Sequence, residues 1–223
     1  MKENKALHVL GCVPKLLNIL FELAEESEAF SVFKVIDNLS QNNLSFLTSL
    51  EGWRVGVIDI EQIGNKLNQE SYYAFSVVGT ESKRTVYNTF KKLIHMKDNQ
   101  FINLIHPSSY VSRSTILKNG LQVEPLSTIA ACTTIGFGVN IKRNCNIGHH
   151  CKIGDFVTIN PGVTISGCVN IGDNTMIGSG AVVKDGISIG DNSLIGIGSV
   201  VTNDIPSNVI AYGNPCRVQR TKL

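Results

Sequence analysis

Aliphatic residues recur at every sixth position through the second half of the chain, without an insertion between Ile105 and Val201. The series is Ile105, Val111, Leu117, Val123, Ile129, Ile135, Ile141, Ile147, Ile153, Ile159, Ile165, Ile171, Ile177, Val183, Ile189, Ile195 and Val201. Such a six-residue unit forms one short strand and one corner, and three units close a triangular coil that stacks on the next. The pattern predicts a left-handed parallel β-helix in which residues eighteen positions apart lie one above the other.

Other positions of the repeat fit this prediction. Glycine directly follows the aliphatic residue at 136, 148, 154, 172, 178, 190 and 196, which we interpret as a need for backbone angles that a β-carbon forbids. Two residues before the aliphatic position we expect small inward side chains, among them Cys145 and Cys151 as packing thiols. The series ends at Ser207, and the tail through Gly213-Asn214-Pro215 is expected to leave the coil as a loop or extended strand.

The first hundred residues follow a different pattern, in which short apolar runs alternate with helix-like segments. Strands are predicted over 6–10, 32–36, 54–58 and 73–78, with helices over 14–27 and after Thr80, which can cap the second helix. This alternation is typical of a parallel sheet with ligand space at the strand carboxyl ends. The sequence therefore predicts a small Rossmann-like α/β domain over 1–102, followed by the β-helix with a C-terminal extension over 103–223.

Composition excludes several classes of protein. A hydrophobic content of 43% suffices for a core, and a net charge of +2 argues for neither a nucleic-acid nor a membrane partner. The apolar stretch 16–23 contains Asn18 and Glu22, so it resembles a helix rather than a secretion signal, and no run approaches the roughly 18 apolar residues of a membrane span. Six scattered cysteines without a CxxC pair indicate free thiols in the cytoplasm and no metal site.

One pair of corner residues suggests acyl-transfer chemistry. His149 lies two residues past Ile147, on a corner that faces outward, and Gly167 lies eighteen residues later in the coil above. An imidazole beside an unobstructed backbone amide can deprotonate a nucleophile while the amide stabilises an oxyanion. The alternative is that His149 is only a solvated corner residue.

Four segments carry a resemblance to a known family. They are IHPSSYVS at 105–112, IGHHCKIGDFVTINPGVTISG at 147–167, YGNPCRV at 212–218 and VVGTESKR at 77–84. By these the chain resembles, over nearly its whole length, the sugar O/N-acyltransferases typified by NeuD (sialic acid O-acetyltransferase) and PglD (UDP-amino-sugar N-acetyltransferase). The resemblance implies a homotrimer that uses acetyl-CoA as acyl donor, without a metal, in a groove between neighbouring β-helices.

The resemblance also implies residue roles. A histidine at the position of His149 acts as general base on the acceptor's amine or hydroxyl, and the N–H of Gly167 donates to the thioester carbonyl. The coenzyme is expected at Lys142, Gly167, Gly178, Gly180, Gly196, Gly198 and Arg217. The acceptor is expected at Gly11, Asp37 and Gly79, with His150 as a further contact. The alternative to coenzyme binding is that these glycines serve only the turns and that Lys142 and Arg217 are solvated side chains.

The chain departs from the family at three places. The family usually has a carboxylate directly after the catalytic histidine, where this chain has His150. A second imidazole is not expected to raise the basicity of His149 as an acidic residue would, although it could orient a water or contact substrate. A carboxylate from elsewhere could replace the missing one. Asp155 lies on the next face of the β-helix, so it could do so only for the histidine of a neighbouring subunit. Lys142 replaces a residue that is often Asn in relatives. The opening loop Gly11-Cys12-Val13-Pro14-Lys15 lacks the later glycines that let nucleotide phosphates approach, although Lys15 could supply charge.

These observations favour an acetyl-CoA-dependent acetyltransferase that acts on an amino group or hydroxyl of a nucleotide-linked or sialic-acid-like sugar for surface glycan biosynthesis. Two alternatives stay open: an O-acetyltransferase for another small molecule, and a non-catalytic β-helix that binds or supports a partner. A serine acetyltransferase would have a helical N-terminal domain, and a sugar nucleotidyltransferase a much larger one. A β-helical zinc carbonic anhydrase needs three convergent histidines, but His106 lies more than two coils from His149 and His150.

Overall fold

The computed structural model of the chain describes residues 6–11, 13–27, 30–37, 53–59, 71–77 and 79–222. These residues form two compact units. The first contains the described residues up to 77 together with 82–104, and the second contains 79–81 together with the residues from 105 onward. Neither helix within the described ranges has the length and apolar character needed to cross a membrane.

The N-terminal unit is a parallel α/β sheet. Its elements are β1 (Ala6–Leu10), α1 (Pro14–Glu26), β2 (Val32–Asp37), β3 (Arg54–Asp59), β4 (Tyr72–Phe75) and α2 (Thr80–Ile94), followed by a 3₁₀ turn at Asp98–Gln100. The strand order is β3-β2-β1-β4, which matches one half of a dinucleotide-binding sheet. The predicted Rossmann-like fold is confirmed. The fourth strand is shorter than predicted, and α2 begins at Thr80 itself.

Helix α1 packs on this sheet through one apolar face. Leu17, Phe21 and Ala24 recur at helical spacing and are fully buried. The ring of Phe21 stacks on Phe33 of β2, with ring centroids 4.1 Å apart. Leu7 and Val9 of β1 belong to the same buried cluster, so the helix packs on both β1 and β2.

A buried histidine lies in the middle of β1. His8 is 4% exposed, and its register partners are Lys34 of β2 and Tyr73 of β4. Its Nδ1 lies 3.3 Å from the Tyr72 carbonyl oxygen, and its Nε2 has no partner within the described part of the chain. Burial, and then the charge of Lys34, lower the pKa of His8 from its ordinary 6.5 to about 4, against the opposing hydrogen bond to Tyr72.

We predict that His8 makes the N-terminal unit sensitive to acid. In the unfolded chain His8 takes up a proton near pH 6.5, whereas the folded unit resists protonation down to a pKa of about 4. Its contribution to stability is therefore fully present above pH 6.5 and is lost as the pH falls towards 4. Between pH 7 and pH 5 the loss in the free energy of unfolding is on the order of 2 kcal/mol.

Urea denaturation of the wild type and of His8→Leu at both pH values measures this loss. The variant should show a smaller decrease than the wild type, because it removes the buried imidazole. His95→Asn, which replaces an exposed histidine of the same unit and suits its left-handed backbone (φ 52°), is the matched control. Equal decreases in the wild type and His8→Leu would show that His8 is not the source.

The C-terminal unit consists of seventeen two-residue strands, each ending on one aliphatic residue of the repeat. Face one contains β5 (Leu104–Ile105), β8 (Gln122–Val123), β11 (Asn140–Ile141), β14 (Thr158–Ile159), β17 (Met176–Ile177) and β20 (Leu194–Ile195). Face two contains β6 (Tyr110–Val111), β9 (Thr128–Ile129), β12 (Asn146–Ile147), β15 (Thr164–Ile165), β18 (Val182–Val183) and β21 (Val200–Val201). Face three contains β7 (Ile116–Leu117), β10 (Thr134–Ile135), β13 (Lys152–Ile153), β16 (Asn170–Ile171) and β19 (Ser188–Ile189).

Parallel pairing between coils joins each residue to the one eighteen positions later, as Ile147 to Ile165 on face two. The predicted parallel β-helix is therefore confirmed. We call the turns that follow faces one, two and three the first, second and third corners. From Val123 to Val201 the aliphatic residues are at most 3% exposed. Cys145 and Cys151 are fully buried, and this burial raises the pKa of both thiols, as expected of packing cysteines.

The glycines after the aliphatic residues have a different cause from the one predicted. Left-handed backbone occurs two residues further on, for example at His150 (φ 56°) after Gly148 and Phe156 (φ 58°) after Gly154, and not at these glycines. A β-carbon at Gly148 would instead collide with the backbone of Ser166 in the coil above, and at Gly178 it would lie 2.6 Å from the carbonyl carbon of Gly196. Close approach between successive coils therefore demands glycine here.

The tail stays on the β-helix as a hairpin. Strand β22 (Val209–Gly213) continues face one in parallel with β20, and β23 (Cys216–Thr221) returns antiparallel beside it. The chain beyond Ser207 is thus extended, which is one of the two conformations predicted, and it does not leave the coil.

Candidate active site

His149 and His150 form the two turn residues of the second corner after β12, and both are exposed. A buried hydroxyl holds this turn at both ends. Thr133, in the coil below, donates to the Gly148 carbonyl at 2.8 Å and accepts from the Cys151 N–H at 3.2 Å. The two histidines are therefore presented on a backbone that is fixed from inside the β-helix.

Thr133 lies two residues before Ile135, where the repeat predicts only a small inward side chain, so the repeat alone does not predict this bridging role. The same arrangement recurs elsewhere, since Ser127 bridges the Lys142 carbonyl and the Cys145 N–H in the same way. In both cases the hydroxyl donates to the carbonyl fifteen residues later and accepts from the N–H eighteen residues later. An inward Ser or Thr is therefore a usable sequence signal for an anchored turn.

Gly167 lies directly above His149, because β15 pairs with β12. A β-carbon at Gly167 would lie 2.7 Å from both Cε1 and Nε2 of the His149 ring, so the imidazole occupies the space of the missing side chain. The carbonyl of His149 accepts from the Cys168 N–H at 2.8 Å. Within the described part of the chain the Gly167 N–H has no acceptor, which leaves it available to a ligand.

The two histidine rings contact each other. Nδ1 of His149 lies 3.0 Å from Nδ1 of His150, and the rings are nearly perpendicular at 85° with centroids 5.2 Å apart. A hydrogen bond at this distance uses Nδ1 of each ring, so Nε2 is the remaining nitrogen of His149 that can accept a proton. The second corner thus presents Nε2 of His149 beside an unpaired backbone donor.

The predicted coenzyme glycines lie on a different corner. Gly178 and Gly180 follow β17, and Gly196 and Gly198 follow β20, so all four belong to the first corner. Gly180 (φ 68°) and Gly198 (φ 63°) have left-handed backbone with open space at the β-carbon position. A single chain therefore does not bring these glycines together with His149 on one corner.

Lys142 also lies on the first corner, where it neutralises a buried carboxylate. Its Nζ is 2.8 Å from Oε1 of Glu124, whose side chain is 4% exposed, and Arg143 contacts the other oxygen at 3.1 Å. Arg217 lies on β23, is exposed, and donates from its guanidinium to the Cys216 carbonyl at 2.9 Å. For both residues the predicted contact with coenzyme stays a prediction.

The predicted acceptor residues follow adjacent strands of the N-terminal sheet. Gly11 follows β1 and Asp37 ends β2, so both lie at the carboxyl edge of the sheet. Gly79 comes after β4 in the sequence and belongs to the second unit. Gly11 has φ 90°, and a β-carbon there would lie 2.7 Å from Val77. Cys12 and the side chains of Asp37 and Lys15 lie outside the described residues.

Asp155 is held within its own chain. This carboxylate, on the third corner, accepts from the Phe137 N–H at 2.8 Å and from Lys118 at 2.9 Å. His106 lies after β5, with its Nδ1 2.7 Å from the hydroxyl of Ser108. Across the described ranges no three His, Cys, Asp or Glu side chains are grouped so as to hold a metal ion.

Two family models match adjacent parts of the β-helix. Residues 132–167 match the model described as bacterial transferase hexapeptide (six repeats), and residues 168–203 match the hexapeptide repeat of succinyl-transferase. No curated protein sequence matches the chain.

Several solved structures are similar over nearly the whole chain. The acetyltransferase domain of PglB from Neisseria gonorrhoeae FA1090, in complex with acetyl coenzyme A, superimposes with a TM-score of 0.82 and 26% identity, covering 97% of this chain and 100% of that one. A mutant of perosamine N-acetyltransferase from Caulobacter crescentus, in complex with CoA and GDP-perosamine, superimposes with a TM-score of 0.78 and 22% identity, covering 98% of each chain. WeeI from Acinetobacter baumannii AYE gives 0.77 and 22%, covering 96% and 100%.

The comparisons confirm the predicted resemblance to the hexapeptide-repeat sugar acyltransferases, and with it the prediction that the chain is an acyltransferase.

We predict that Gly167→Ala displaces the His149 ring, because the new methyl group would occupy the position 2.7 Å from Cε1 and Nε2. The backbone of this corner position tolerates a side chain, since Ala131 and Asp185 occupy it in other coils. Acyl-transfer activity should fall about 10- to 100-fold, as small misplacements of catalytic groups do, while the melting temperature changes little. Steady-state kinetics with Ala131→Gly as the control would measure this; unchanged activity in Gly167→Ala would contradict the assigned contact.

Proposed function

We propose that this acyltransferase transfers the acetyl group of acetyl-CoA to an amino group of a nucleotide-linked sugar, as a step in surface glycan biosynthesis. The observation that carries this proposal is the contact of the His149 imidazole with Gly167, whose N–H is unpaired within the described residues. The acetyl-CoA and GDP-perosamine named for the similar structures support the choice of donor and of an amino-sugar acceptor.

The two groups of the second corner supply what the reaction needs. The acceptor nitrogen attacks the thioester carbonyl carbon, and the Gly167 N–H donates to the oxyanion that forms. Nε2 of His149 takes the proton that the nitrogen loses. When the C–S bond breaks, the leaving thiolate takes this proton from His149, so the products are the N-acetylated sugar and CoA, and the imidazole returns to its neutral form.

A site between two copies of the chain would bring the predicted catalytic residues and the predicted coenzyme residues together. His149 and Gly167 lie on the second corner, whereas Gly178, Gly180 and Lys142 lie on the first. A coenzyme in a groove between neighbouring β-helices would contact the second corner of one copy and the first corner of the next. A ring closed by threefold symmetry gives each copy one such groove on either side, which supports the homotrimer implied by the family resemblance.

The acceptor's nucleotide is proposed to bind at the carboxyl edge of the N-terminal sheet, at Gly11 and Asp37. The parallel pairing of β1 with β2 supports this proposal, because open parallel sheets bind ligands at that edge. Ser76, after β4, is buried there with a hydroxyl that has no partner within the described part of the chain. The opening loop lacks the glycine-rich sequence of the family, so the acceptor panel below covers UDP-, GDP- and dTDP-linked sugars.

Mass spectrometry of the purified protein with acetyl-CoA and a panel of acceptors tests this function. The panel contains UDP-, GDP- and dTDP-linked amino sugars and free sialic-acid-like sugars. One amino sugar should gain a single acetyl group, and His149→Ala should slow this reaction about 10²- to 10⁴-fold, whereas His106→Ala, the control on the first corner, should not.

The other outcomes separate the alternatives. Acetylation of a sugar hydroxyl would correct the acceptor group while keeping the roles of His149 and Gly167. Binding of acetyl-CoA without acetylation of any sugar would point to another small-molecule acceptor. Failure to bind acetyl-CoA would contradict the proposal and favour a non-catalytic β-helix.

A further inference from the structure

His150 occupies the place where the family has a carboxylate, and it contacts the proposed base directly. We infer that His150 is a positioning residue: its neutral imidazole accepts a hydrogen bond from Nδ1–H of His149 and thereby fixes His149 in the tautomer with a free lone pair on Nε2. This inference rests on the proposed function, in which Nε2 of His149 takes the acceptor's proton.

The geometry permits two arrangements of the shared proton, and only one is compatible with catalysis. If His150 carried the proton on Nδ1, the lone pair of His149 would lie on Nδ1 and its Nε2 would be protonated, so that Nε2 could not act as a base. If His149 carries the proton on Nδ1, its lone pair lies on Nε2, the nitrogen beside Gly167. A base that works at Nε2 therefore requires His150 to be the acceptor.

The backbone holds His150 in the position that this role requires. His150 has left-handed backbone (φ 56°), a region in which histidine, asparagine and aspartate are enriched among residues other than glycine. Its N–H donates to the Ala131 carbonyl at 3.0 Å, and the bonds from Thr133 fix the residues on either side of the two histidines. The contact between the rings is thus set by a turn that is anchored in the coil below.

The hydrogen bond gains strength as the reaction proceeds. When Nε2 of His149 takes the acceptor's proton, the ring becomes an imidazolium that still donates from Nδ1 to His150. A hydrogen bond from a charged donor is stronger than one between neutral groups. His150 therefore keeps the His149 ring in one orientation throughout the proton transfer, which is the function of the third group in other base-nucleophile arrangements.

Two substitutions of His150 separate positioning from folding. Asparagine places an oxygen the same number of bonds from Cβ as Nδ1 of histidine, and so keeps a neutral acceptor; glycine removes the acceptor. Both residues suit left-handed backbone, so neither variant should disturb the turn. His150→Gly should lower kcat about 10- to 100-fold, as loss of an orienting partner does, with an unchanged KM for acetyl-CoA and an unchanged melting temperature.

His150→Asn, and likewise His150→Asp, should restore most of the wild-type kcat. Asparagine as inactive as glycine, or glycine as active as the wild type, would overturn the inference. A direct measurement of the tautomer needs no acceptor sugar. The chain has five histidines, so the ring signals in long-range ¹H–¹⁵N NMR spectra of ring-labelled protein can be assigned with variants that each lack one histidine.

In the wild type and in His150→Asn, His149 should be protonated on Nδ1 and unprotonated on Nε2; in His150→Gly this preference should be lost. An Nε2–H tautomer in the wild type would overturn the positioning role even if sugar acetylation were observed. Conversely, an Nδ1–H tautomer that disappears in His150→Gly would support the inference even if every sugar of the panel failed, so the two proposals fail separately.

Discussion

Hydrogen bonding between successive coils fixes every position in the second half of the molecule. Each residue pairs with the one eighteen positions later, as Ile147 with Ile165, and backbone N–H groups donate to carbonyls of the next coil, as when Gly148 N–H donates to the Ile165 carbonyl at 2.8 Å. The contact of His149 with Gly167 is one consequence, because the two belong to adjacent coils. A single residue inserted between them would shift Gly167 out of contact with the His149 imidazole.

The same close stacking sets the chemistry around the site. At Gly148 the backbone above leaves no room for a β-carbon, and at Gly167 the histidine ring fills the space. Thr133 satisfies the carbonyl before the two histidines and the N–H after them with one hydroxyl. Buried polar backbone groups are costly when unpaired, so the hydroxyl that stabilises the coil also holds the turn that presents His149 and His150.

Counting along the sequence sufficed for the strands, the three faces and the placement of Gly167 above His149. It did not reveal why glycine follows the aliphatic residues. The repeat suggests that the turn needs unusual backbone angles, whereas a β-carbon there would collide with the backbone of the next coil. Nor did it reveal the bond from His149 to His150, which depends on ring orientations set by the left-handed turn. The ion pair of Lys142 with Glu124 was missed although these residues are eighteen apart and could have been paired by counting.

Subunit mixing tests most directly whether the second corner of one chain works with the first corner of another. Gly180→Asp, which suits left-handed backbone, should block the coenzyme's phosphates at the first corner, with the neutral Gly180→Asn as its control. His149→Ala and Gly180→Asp should each be inactive alone, and mixed oligomers refolded from the two should regain activity at the groove that combines two unaltered corners. Mixed oligomers without activity, or a Gly180→Asp protein with normal activity, would contradict a site shared between chains.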